Sequence, residues 1–162
     1  LDNQCDRYRS EPLILHPDST LSMYTNFDIE PASGGQWYDR ANVGLVATDQ
    51  TRTLIQPNTG RTYNTDSGGS ASFSGCIAPL QGWADTANTW ALSEWDAAAL
   101  QAPTFAGQAV QLEVAYATDV SVTGDGIRFD HVTLTNFDRL IADGQPDGSC
   151  TVPVELQNYS IE

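Results

Sequence analysis

Hydrophobic residues in this chain recur at every second position, and that periodicity restricts the fold more than any other feature. Leu21, Met23, Phe27 and Ile29 fall on one face of an extended run, with Ser22, Tyr24, Asn26, Asp28 and Glu30 on the other. A strand puts successive side chains on opposite faces, so this pattern predicts strand rather than helix. Val43, Leu45 and Ala47 alternate in a second run, after a turn-like stretch at 31–35. Over 109–118, Val110, Leu112, Val114 and Tyr116 alternate with Gln111, Glu113, Ala115 and Ala117. A further run at 127–137 carries Ile127 and Phe129, then Val132 and Leu134. The change from odd to even positions around His131 predicts a bulge or a strand end.

The connections at 56–60, 66–69 and 143–148 are rich in Gly, Asn, Asp, Ser and Pro, as turns require. Residues 95–100 read as one helical turn, with Ser93 as its cap and Asp96 near its start. There is no internal repeat. Many short strands at regular spacing predict an all-β fold, an antiparallel β-sandwich of the jelly-roll kind. It should occupy 1–149, with 150–162 as a C-terminal extension, either an added strand or a linker.

The 162 residues suit one domain, which at this size hides roughly two-thirds of the surface of its unfolded chain. Acidic residues number 21 against 7 basic ones, all arginine, for a formal net charge of −14. Such a surface repels nucleic acid and anionic lipid and collects divalent cations. No run approaches the ~18 apolar residues of a membrane span. No signal peptide is visible at Leu1, so the chain is expected to be a mature or excised piece of a longer protein.

Catalytic motifs are sparse. There is no lysine for Schiff-base chemistry, no phosphate-binding glycine loop, and no nucleophile elbow beside either His16 or His131. Asp28 and Glu30 sit two apart on one strand face, as in some jelly-roll glycoside hydrolases, but Asn26 stands where a third acid is usual.

Cys5, Cys76 and Cys150 lack C-x-x-C spacing, which argues against a zinc cluster. Cys5 and Cys150 lie near the two ends of the patterned region. First and last strands of a sandwich are often neighbours, so these two are expected to form a disulfide. Cys76 is then a buried free thiol, or else the true partner of one of the others. A disulfide implies an oxidising compartment, hence a secreted or extracellular protein.

Trp37, Trp83, Trp90 and Trp95, with Tyr38 and Tyr63, are residue types that stack on sugars or bury in a partner surface. Trp90 is expected in the core, and Trp37 with Tyr38 in an exposed ligand-binding loop. Acids flank two turns, Glu30 and Asp39 at one and Asp119, Asp125 and Asp130 at another. Calcium takes six to eight oxygen ligands, and such turns supply them.

The order of motifs resembles the jelly-roll accessory domains of secreted bacterial metalloproteases of the immune-inhibitor-A type, which are distantly similar to MAM domains. The matching pieces are Leu21-Ser22 running to Asp28-Ile29-Glu30, Trp37-Tyr38-Asp39, Tyr63, Phe73-Ser74-Gly75 and Trp90. Then come Ala106-Gly107-Gln108-Ala109-Val110-Gln111-Leu112, Ala117-Thr118-Asp119, and Gly124-Asp125-Gly126 running to Asp130-His131-Val132. The resemblance spans roughly 6–137. It implies that the acid ending the early strand lies close to the acid of the final strand. Glu30 with Asp130 is therefore the expected ligand pair for calcium, completed by Asp39 and Asp125, with Asp28 nearby.

The function expected is that of a non-catalytic extracellular module, stabilised by calcium and acting in binding or structural support. Its partner would be a protein or glycan surface ligand, further copies of itself, or a neighbouring domain of a longer chain. A carbohydrate-binding module or self-assembling surface subunit is the second reading, and a jelly-roll glycoside hydrolase the third.

Overall fold

The structure, a computed structural model, describes residues 5–66, 77, 81–119, 124–140 and 159–160. In chain order the strands are β1 (Cys5–Arg9), β2 (Leu13–Asp28), β3 (Arg40–Ala47), β4 (Arg52–Ile55), β5 (Thr59–Gly60) and β6 (Thr86–Trp95). A short helix, α1 (Ala102–Phe105), precedes β7 (Ala109–Ala117), β8 (Gly126–Arg139) and β9 (Tyr159–Ser160). Every pairing between strands is antiparallel, and the all-β class follows the period-two pattern.

β7 has β3 along one edge and, along the other, β1 followed by the start of β2. β4 extends this layer beyond β3. β2 runs on past His16–Ser19, where its register with β8 shifts, and then lies between β6 and β8. One strand of 16 residues thus serves both layers of a curled, sandwich-like sheet. Within the expected C-terminal extension, β9 pairs with Arg128 and Phe129 of β8.

The alternating residues converge as expected. Leu21, Met23, Phe27 and Ile29 meet Val43 and Leu45, Val110, Leu112, Val114 and Tyr116, and Ile127, Phe129, Val132 and Leu134 in one buried cluster. The parity change in β8 is a bulge, since Ser22 pairs with Thr133 and Tyr24 with Asp130, leaving His131 and Val132 opposite Met23.

Trp83 is fully buried, edge-on to Tyr63 (centroids 4.8 Å) and Trp95 (6.3 Å) and stacked on Phe27 (6.3 Å). Its backbone exchanges hydrogen bonds with Ala41, and a Cβ on Gly82 would stand 2.2 Å from the Ala41 carbonyl oxygen. Glycine is what lets this segment press against β3.

Trp90, expected in the core, is instead exposed. It lies five positions before the buried Trp95 on the same strand, and an odd spacing puts two residues on opposite faces. The expected cap also moves. Ser93 is buried within β6 and donates to the Arg61 carbonyl, while Asp96 Oδ1 accepts the Ala99 N–H at 2.8 Å.

The outer face of β7 carries one buried charge. Glu113 is fully enclosed and accepts Arg9 Nε at 2.6 Å and Arg52 Nε at 2.5 Å, tying β1 and β4 across β7. Gly44, opposite Glu113, leaves room for Arg52 to lie flat, because a Cβ there would come within 2.8 Å of the guanidinium carbon. Among the described residues no helix is long and apolar enough to cross a membrane.

Candidate metal centre

Three strand ends meet at one end of the sandwich. Glu30 follows the last residues of β2, Asp39 immediately precedes β3, and Asp119 follows β7. β3 and β7 pair from Arg40↔Ala117 to Ala47↔Val110, so the start of one and the end of the other are adjacent. Asp39 Oδ1 accepts the backbone N–H of Asp119 at 2.8 Å, which fixes the two loops to each other. β2 is held at this end by the Ile29 N–H, which donates to the Asp85 carbonyl at 3.1 Å. Gly124 also lies against β2, where a Cβ would stand 2.1 Å from the Asp28 carbonyl oxygen.

One carboxylate oxygen from each of Glu30, Asp39 and Asp119 lies within 4.8 Å of the others. Asp39 is fully buried and Glu30 nearly so. Glu30 Oε2 and Asp39 Oδ2 have no hydrogen-bond partner among the described residues. Buried carboxylate oxygens without a donor are costly and uncommon in folded proteins. Burial, followed by the charge of Asp119, pushes the Glu30 carboxyl up. Burial, with the charges of Glu30 and Asp119, pushes Asp39 up to about 6, against the backbone bond from Asp119 and the Arg40 guanidinium, which favour its ionised form. Tyr116 on β7 also feels this charge. Its buried phenol is shifted upward first by desolvation and then by Asp39.

Three carboxylates in contact repel one another unless they share protons or a cation. An all-oxygen donor set without sulfur or imidazole suits a hard cation, calcium before zinc or copper.

The expected ligand set is only half assembled here. Glu30 and Asp39 come together, but the carboxylates of Asp125 and Asp130 do not join them. Asp130 pairs with Tyr24, six residues before Glu30, which is about 20 Å of extended chain. Asp125 is exposed and ion-paired with Arg128 at 3.3 Å. Asp28 accepts the Thr86 hydroxyl at 2.7 Å. The third acid is Asp119, whose placement follows from the β3–β7 pairing. Alternation within a strand carries no information about which strand becomes its neighbour.

Trp37 and Tyr38 are partly buried rather than projecting, and Trp37 packs against the core cluster. The cysteine pairing is addressed only at Cys5, opposite Ala117 at the start of β1, because Cys76 and Cys150 lie outside the described residues.

The fold and the acid cluster together define an all-β domain with a buried carboxylate centre. No family model and no curated protein matches this chain, so the likeness to protease accessory domains rests on its motifs alone.

Proposed function

We propose that this chain is a non-catalytic, extracellular β-sandwich module of the jelly-roll kind, whose strand ends are tied by a bound calcium ion. The observation that carries the reading is the buried trio Glu30, Asp39 and Asp119, with two carboxylate oxygens lacking donors. A divalent cation turns their mutual repulsion into coordination and joins the ends of β2, β3 and β7. A rigid end of this kind suits a module that presents a surface or supports a neighbouring domain.

The non-catalytic reading rests on the fit of the trio to a cation, in which each carboxylate serves as a ligand and none is left as a general acid or nucleophile. The two histidines pair with other acids, His16 with Asp138 at 3.1 Å and His131 with Asp130 at 3.0 Å. The acidic surface fits an extracellular setting where calcium is abundant.

The test is thermal unfolding with calcium, with chelator, and with sodium at matched ionic strength. A ligand that binds only the folded state adds roughly 2.7 kcal/mol when it is a hundredfold above its dissociation constant. Calcium should therefore raise Tm by several degrees, with sodium doing much less. Identical melts in calcium and chelator, with no metal retained in elemental analysis, would remove the cation from this reading.

A further inference from the structure

Away from the carboxylate trio, a second group of side chains gathers at the surface. Among the described residues the only exposed large hydrophobics are Tyr24, 41% exposed, and Trp90, 47% exposed. With Asp130 and His131 they line an open concavity of ≈ 400 Å³. Small-molecule sites usually measure roughly 300–1,000 Å³.

The strands bring these four together. Tyr24 on β2 pairs with Leu92 of β6 on one side and with Asp130 of β8 on the other. Trp90 lies two residues before Leu92 on β6. The bulge in β8 places His131 at φ 48°, a left-handed backbone that costs free energy for a side-chain-bearing residue. It lets Phe129 and Val132 both stay in the core while His131 turns outward. The imidazole lies edge-on to the Tyr24 ring, with centroids 6.0 Å apart at 74°. Asp130 is held in place at both oxygens, Oδ1 accepting the His131 N–H at 2.7 Å and Oδ2 lying 3.0 Å from His131 Nδ1.

We propose that this concavity binds a neutral saccharide, with sugar rings laid on Trp90 and Tyr24 and hydroxyls hydrogen-bonded to Asp130 and His131. The C–H face of a pyranose carries a slight positive charge that the negative face of an aromatic ring attracts. Sugar hydroxyls donate to a carboxylate in charge-assisted bonds, and Asp130 is partly exposed with its orientation fixed. The ligand is neutral because the chain carries −14 overall and Asp130 lies in the site, both of which repel phosphates and uronic acids. The patch is too narrow for a protein. Stable protein interfaces bury about 800 Å² per partner, whereas the described residues offer two exposed aromatic rings here.

The experiment is a titration of the calcium-loaded chain with cellohexaose, xylohexaose, mannohexaose and laminarihexaose, read by tryptophan fluorescence and by the indole N–H signals in NMR. At least one should bind saturably and move the Trp90 signal while leaving Trp83 unchanged. Trp90→Ala and Asp130→Asn should each weaken that sugar about tenfold or more, the equivalent of ~1.4 kcal/mol per decade. Asp39→Asn lies in the other site and should leave sugar affinity unaltered, so loss of the calcium response and loss of sugar binding are separable. The proposal is overturned if none of the four sugars binds, if both variants bind as the parent does, or if the patch instead drives dimerisation that Trp90→Ala abolishes.

Discussion

At Asp39, burial and two neighbouring carboxylates oppose a single backbone donor and the Arg40 guanidinium, and the carboxyl is pushed up to about 6. In the unfolded chain the same group titrates near 3.8. Between those values the folded state binds the extra proton, so stability of the cation-free protein falls as pH rises from about 4 through 6. Calcium competes with that proton, and its stabilising effect should be large at pH 7.5 and small at pH 5. Melting curves at the two pH values, with calcium and with chelator, check both signs. Asp39→Asn removes one buried charge. It should melt at or above the parent's temperature in chelator, by up to about 2 kcal/mol on the scale of an unsatisfied buried polar group, and show little response to calcium. A variant that keeps the full calcium response would place the ion elsewhere. A second residue-scale expectation concerns Cys5. Directly opposed residues of an antiparallel pair share a face, so Cys5 lies on the side of Ala117 against which Ile77 packs. Ile77 follows Cys76 in the chain, which makes Cys76, rather than Cys150, the expected partner. Non-reducing peptide mapping that joins Cys5 to Cys150 would refute this.

Among the elements, β7 carries the most varied load. Its even positions line the core, while Glu113 on the other face holds Arg9 of β1 and Arg52 of β4. Removing one partner of a buried ion pair costs about 3–5 kcal/mol, because the remaining charge stays buried. Arg52 is the more enclosed arginine, so Arg52→Ala should destabilise by roughly that amount and Arg9→Ala by less. Replacing Arg52 with Met and Glu113 with Leu together should recover most of the loss, as urea titrations of the three variants would show. This cluster was invisible in the sequence, where Glu113 reads as one of the polar positions facing solvent. The inner faces of β2, β7 and β8 were legible because alternation is a local property, and the bulge at His131 announced itself as a change of parity. Trp90 was not legible in the same way, because 95–100 read as a helical turn and no strand was read before it, so the parity against Trp95 that turns Trp90 outward appears only with β6. The carboxylate centre was half legible. Glu30 and Asp39 flank one turn, but Asp119 joins them only through β3–β7 pairing across more than sixty residues of chain, and no local pattern encodes that.

For the whole molecule, the feature with the widest reach is β2, the strand that belongs to both layers. Its partner β8 comes late, and the Leu13–Arg139 pairing closes a loop of more than a hundred residues. Chains dominated by such non-local pairings fold slowly, on the order of milliseconds to seconds. During synthesis β2 emerges early and must wait for β6 and then β8, with Leu21, Met23 and Phe27 uncovered and both edges unpaired. An unpaired apolar strand is an invitation to pair with another chain. Yield on refolding should therefore fall steeply with protein concentration. A helper that shields β2 until translation reaches β8 should matter more to this protein than any adjustment to its finished fold.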